Sequence, residues 1–199
     1  MRNTSTLVGF LATLFMTGCA AVGVISSSDP LVKLNDAEAL ISMGRPVPAE
    51  RLIREALDIY QQRGDAHGLA AAHRQYADLL ISGAVVKNEV VYRRSGFQDK
   101  SVTYDTRLEK AKDYYKKALG YYETAAKEHI SEKQYDLLTN VYFNMGWCYQ
   151  VLEDRKNACG YYDKALEAYN QNRAQNPKAR QLGSLPESVK TQKQQVHCD

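Results

Sequence analysis

Residues 140–172 read NVYFNMGWCYQVLEDRKNACGYYDKALEAYNQN, and this stretch decides the fold. Positions three, four and seven apart share one face of a helix, so Tyr142, Met145, Gly146 and Tyr149 line one side of a first helix. Ala158, Tyr162 and Ala165 repeat that spacing on a second. Leu152-Glu153-Asp154-Arg155 is a polar turn between them. Gly146 and Ala158 are small, which lets two antiparallel backbones approach closely.

The order aromatic, large apolar, Gly, Tyr and then Ala, aromatic, Ala resembles the tetratricopeptide repeat. A second copy precedes it. Leu69, Ala72, His73 and Tyr76 form its first helix, with His73 where Gly is usual, and Ala111, Tyr115 and Ala118 its second. From Tyr76 to Ala111 is 35 residues, against 9 from Tyr149 to Ala158, so about 26 residues are inserted between the paired helices. A weaker third copy comes first, with Leu40 in the tyrosine place and Ala49, Ile53 and Ala56 following. The resemblance implies an all-α, right-handed superhelical stack of antiparallel hairpins, about three repeats long, over residues 30–172. Such repeats bury their apolar stripes against one another.

Boundary signals agree. Asp29-Pro30 caps and starts a helix. Gly44-Arg45-Pro46-Val47-Pro48 stops one helix, and Pro48 starts the next. Gly64-Asp65 pairs a C-terminal glycine with a new N-cap. Ser131 to Gln134 and Ser184 to Glu187 fit capping boxes. Helices are expected at 30–43, 48–63, 66–82, 105–129, 132–152, 155–172 and 186–196. Residues 173–199 form a capping segment.

The N-terminus has another character. A positive start at Met1-Arg2-Asn3 precedes an apolar run from Leu7 to Met16, too short to span a bilayer and fitting a signal-peptide core. Met16-Thr17-Gly18-Cys19 resembles the bacterial lipobox. This implies cleavage after residue 18 and acylation of Cys19, with residues 19–29 as lipidated tether. Ala20, where Asp would favour inner-membrane retention, points to the periplasmic face of the outer membrane.

A quarter of the residues are charged, but the formal net charge is only +3, with no basic stripe for nucleic acid. Cys148, Cys159 and Cys198 would face an oxidising compartment. Cys159–Cys198 is the favoured pairing, with all three reduced as the other reading. The four histidines lack metal-ligand spacing. With no serine elbow, no Cys–His pair, no phosphate loop and no paired carboxylates, neither enzyme, cofactor, metal nor small-molecule substrate is expected.

By the same resemblance, first helices line a concave groove. Its candidate residues are Asn140, Phe143, Trp147 and Gln150 in the last repeat, His67, Ala70, Arg74 and Asp78 in the middle one, and Leu34, Glu38 and Ile41 in the first. Phe143 and Trp147 are either binding anchors or packed under the insertion or tail. The insertion, residues 83–104, is β-prone around Ser95-Gly96 and reads as a hairpin or a solvated loop. Tyr92, Arg93, Arg94 and Phe97 are its candidate contacts with a partner or anionic envelope groups. The expected function is an envelope adaptor or assembly factor that binds a periplasmic or outer-membrane protein. The alternatives are an immunity lipoprotein that blocks a toxin, and a groove that takes peptidoglycan or lipid.

Overall fold

The computed structural model describes residues 27–177 and 184–198. The expected signal segment, Cys19 and most of the tether lie outside the described residues. Nine helices follow one another there, with no strand among the described residues. They are α1 (Pro30–Ser42), α2 (Pro46–Arg63), α3 (Ala66–Ile81), α4 (Gly83–Lys87), α5 (Glu89–Ser95), α6 (Arg107–Glu132), α7 (Tyr135–Val151), α8 (Arg155–Gln175) and α9 (Leu185–Gln195). The chain is thus an all-α, tetratricopeptide-like stack. α1 pairs with α2, α3 with α6 across the insertion, and α7 with α8, while α2–α3, α6–α7 and α8–α9 join successive layers.

Local chemistry sets the helix ends. Asp29 accepts from the Leu31 amide at 2.8 Å, Asp65 from Gly68 at 2.8 Å and Asp154 from Asn157 at 3.1 Å, each satisfying an amide that the first turn leaves open. Gly64, at φ 64°, closes α2 in the left-handed region. Three expected start signals do not hold. α2 begins at Pro46 rather than Pro48, since the earlier proline already fixes a helical φ. The expected capping box at Ser131 does not form. The Ser131 hydroxyl donates to the Glu128 carbonyl, α6 runs on to Glu132, and Lys133 makes the turn at φ 56°. Ser184 likewise makes no side-chain cap to α9.

Small residues bring the layers together. A Cβ on Gly146 would lie 2.6 Å from the Tyr162 ring, so α7 and α8 meet only because that position has no side chain. Gly68 stands in the same relation to Tyr60, where α3 meets α2. Ala37, Ala49, Ala56, Ala72, Ala111, Ala118, Ala158 and Ala165 are buried, with Tyr76, Tyr115, Tyr122 and Tyr162 filling the spaces between them. His73, in the usual glycine place, is packed instead. It stacks on Tyr121 with ring centroids 5.4 Å apart, and burial lowers its pKa to about 4.

The insertion is neither a hairpin nor a solvated loop. It folds as α4 and α5 followed by an irregular return. Tyr92 and Phe97 stack at 4.2 Å and are buried, so they are unavailable as surface contacts. The return is pinned to the stack by the buried Glu50, which accepts from Tyr76 Oη at 2.8 Å and from the Gln98 amide at 2.7 Å. Tyr114 Oη also donates to Asp99. Arg93 closes the insertion with a forked pair to Asp105 at 2.8 and 3.0 Å, and its guanidinium lies over Tyr104. Arg94 is exposed. Burial of these aromatics overrides the strand preference of the valines and threonines around them.

Candidate functional site

α1, α3 and α7 lie side by side and enclose a groove of about 780 Å³. Its walls are the first helices of the three hairpins, with Tyr60, His129 and Tyr169, near the ends of the three second helices, at one edge. Leu31 on α1 and Leu137 on α7 are both exposed and give it apolar lips. Between them stand Asn35, Asn140 and Asn144. Asn144 Nδ2 donates to Asn140 Oδ1 at 2.9 Å, which leaves the Asn144 oxygen, the Asn140 amide donors and the exposed Asn35 amide to face the groove. Such a surface suits a segment that has backbone polar groups to satisfy and apolar side chains to bury.

The expected groove residues divide. Leu34, Glu38, His67, Arg74 and Asn140 line the cavity. Ala70 is fully buried, and Ala71 takes its place at the surface of the groove. Ile41 packs against the core. Phe143 does not reach the cavity. It packs beside Tyr162, at 5.7 Å between centroids, in a small cluster with Val189, Leu185 and Val196 of the C-terminal segment. Gln150 belongs there too, accepting from Tyr162 Oη at 2.6 Å and facing Gln195. The cause is α9, which comes back over this part of the last hairpin and leaves the groove only the N-terminal half of α7. A disulfide joins Cys159 to Cys198 and holds that return, with Cα atoms 5.7 Å apart. Cys148 is a buried free thiol whose pKa burial pushes up to about 12, so it is inert at neutral pH.

Asp78 and Trp147 are half-buried joints between repeats rather than open groove. Asp78 accepts from Arg74 on its own helix, from Tyr115 Oη on α6 and from Trp147 Nε1 on α7, the last at 3.3 Å. One carboxylate therefore ties three helices of two repeats. A second polar joint lies at the groove edge. His67 Nε2 is 3.2 Å from Asn140 Oδ1, His67 Nδ1 is 3.1 Å from His129 Nε2, and His129 Nδ1 is 2.8 Å from Gln134 Oε1. Burial lowers the pKa of His67. Together these contacts fix how α3 and α7 are spaced, and so the width of the groove.

The residue-by-residue reading of the groove missed Asn35, Leu137, Asn144 and His129, as well as Leu31 at the α1 lip. The first three were within reach, because Asn35 follows Leu31 by four positions and Asn140 stands between Leu137 and Asn144 at three and four. His129 gave no such signal, since it enters from the end of a long second helix.

No curated protein matches the chain. The family model for the tetratricopeptide repeat matches residues 139–172, the hairpin of α7 and α8. A repeat of this kind suggests interaction with other proteins. Residues 139–172 are a tetratricopeptide repeat, set as the last hairpin of a stack of similar helical pairs.

Proposed function

We propose that this chain is a lipid-anchored adaptor on the periplasmic face of the outer membrane. Its groove would hold a segment of a protein partner within an envelope assembly for secretion, pilus formation, barrel insertion or cell-wall work. Residues 1–18 direct export, and Cys19 carries the acyl chains. Binding rather than catalysis is part of the proposal.

The observation that carries the adaptor reading is the groove itself. It crosses three hairpins, has exposed leucines at its lips and amides between them, and its spacing is held by polar joints between the repeats. Largely pre-formed concave surfaces of this kind bind without the cost of ordering the receptor. The Cys159–Cys198 bond supports the compartment, because structural disulfides persist where thiols are oxidised.

Site-specific photo-crosslinking in intact cells tests the reading. A photoreactive residue at Asn35 or Asn144 is expected to capture one discrete partner, and the same residue at Asp58 or Lys164, outside the groove, to capture none of it. Capture equal at all four positions, or at none, refutes the groove as the binding surface.

A further inference from the structure

Away from the groove, the exposed apolar side chains are concentrated rather than scattered. Ten large hydrophobic residues are exposed among the described residues, and five of them (Met43, Val47, Ile81, Val86 and Val90) fall in two short segments, 43–47 and 81–90. Val90 is 77% exposed and Met43 65%. The two segments adjoin, because Asn88 Nδ2, at the α4–α5 junction, donates to the Gly44 carbonyl in the α1–α2 turn at 3.3 Å. Isolated exposed hydrophobes need no explanation, but a contiguous group of them marks an interaction surface.

The charges around this group leave a positive surplus. Arg45, Lys87, Arg93 and Arg94 are exposed there, against two carboxylates, Glu89 and Asp105, both of which face Arg93. Arg45, Lys87 and Arg94 make no ion pair among the described residues. The apolar members are Met, Val and Ile, with none of the Trp or Tyr side chains that anchor most protein-binding surfaces. Aliphatic side chains rimmed by unpaired cations match the interface of an anionic bilayer, where methyl groups enter the acyl boundary and the cations stay among phosphates.

The path of the chain allows this. α1 is 13 residues long, so Met43 lies about 20 Å from the point where the chain enters the domain. The ten residues from Cys19 to Asp29 can span at most about 35 Å. A chain anchored at Cys19 therefore has the reach to lay the 43–47 end of the domain on the same surface.

We propose that the surface formed by Met43, Val47, Ile81, Val86 and Val90, with Arg45, Lys87 and Arg94, seats the domain on an anionic phospholipid surface. Its setting beside the anchor rests on the acylated Cys19 of the proposed function. The insertion is then a foot that orients the groove away from the bilayer.

The test uses the full chain purified from membranes and mixed with vesicles of phosphatidylcholine alone or with phosphatidylglycerol, both carrying brominated acyl chains. Val90→Trp is expected to be quenched in the anionic vesicles and at least about fivefold less in the neutral ones. Ile130→Trp, an exposed position outside the patch, is expected to be quenched in neither, with the Trp147 signal of the parent chain subtracted. Adding Lys87→Glu and Arg94→Glu should abolish the Val90→Trp quenching. Three results each overturn the proposal: no quenching in anionic vesicles that carry the chain on flotation, equal quenching in both lipids, or equal quenching at Val90 and Ile130. Blue-shifted Val90→Trp emission without lipid identifies a second copy on the surface and overturns it as well. Flotation with neutral vesicles reads the Cys19 anchor separately, so failure of the anchor is distinguishable from failure of the patch.

Discussion

The C-terminal return depends on one covalent bond, and breaking it has a calculable result. Only Val189 of α9 is buried, which contributes about 1.5–3 kcal/mol. The Lys193–Asp163 pair is largely exposed and adds little. An isolated helix of this length is marginal in water. The Cys159–Cys198 bond closes a loop with a sequence separation of 39, and constraining a loop of that size is worth about 4 kcal/mol in chain entropy. Val189 with the half-buried Leu185 and Val196 supplies a comparable amount, so without the cross-link a helix that is marginal alone is expected to spend much of its time undocked. Reduction, or Cys198→Ser, should loosen α9 while the three hairpins stay folded. Amide exchange in residues 185–195 should rise toward the rate of an unstructured chain, and trypsin should cut at Lys190 and Lys193. Residues 66–81 and 107–132 should keep their protection. Release would also uncover Phe143 and Gln150. Unchanged protection of α9 after reduction would refute the argument, and so would loss of protection throughout the stack.

Asp78→Ala leaves Arg74, Tyr115 and Trp147 without their shared acceptor and is expected to cost about 2–4 kcal/mol, since the site is partly open to solvent. A lower midpoint in urea and red-shifted emission from Trp147, the only tryptophan, would report it, whereas an unchanged spectrum would remove Asp78 as the joint. Glu50 has a pKa raised by burial, although hydrogen bonds from Tyr76 and Gln98 pull the other way. A carboxyl raised in the folded state loses its proton first in the unfolded chain, so its contribution is full below the ordinary glutamate value and falls as pH rises through the raised one. Glu50→Gln, permanently neutral and able to accept both bonds, should therefore gain on the parent chain as pH rises through that window. A stability difference that is flat or moves the opposite way would contradict this.

The repeat at 140–172 was legible because its signals are local. Helical periodicity, the small Gly146 and Ala158, and the caps at Asp29 and Asp65 each involve residues near in sequence or fixed by helix geometry. The pairing of α3 with α6 could be read across the insertion for the same reason, since Tyr76 and Ala111 keep their places in the pattern whatever separates them. Tertiary packing decided the rest. Glu50, Tyr114 and Arg93, distant from one another in the chain, pull residues 83–106 into a helical clamp that their β-prone composition does not foretell. α9, drawn back by Cys198, covers Phe143 and Gln150 and moves the open face of α7 to Leu137, Asn140 and Asn144. Periodicity says which residues of a helix share a side, but which side meets solvent depends on what the remainder of the chain lays over it.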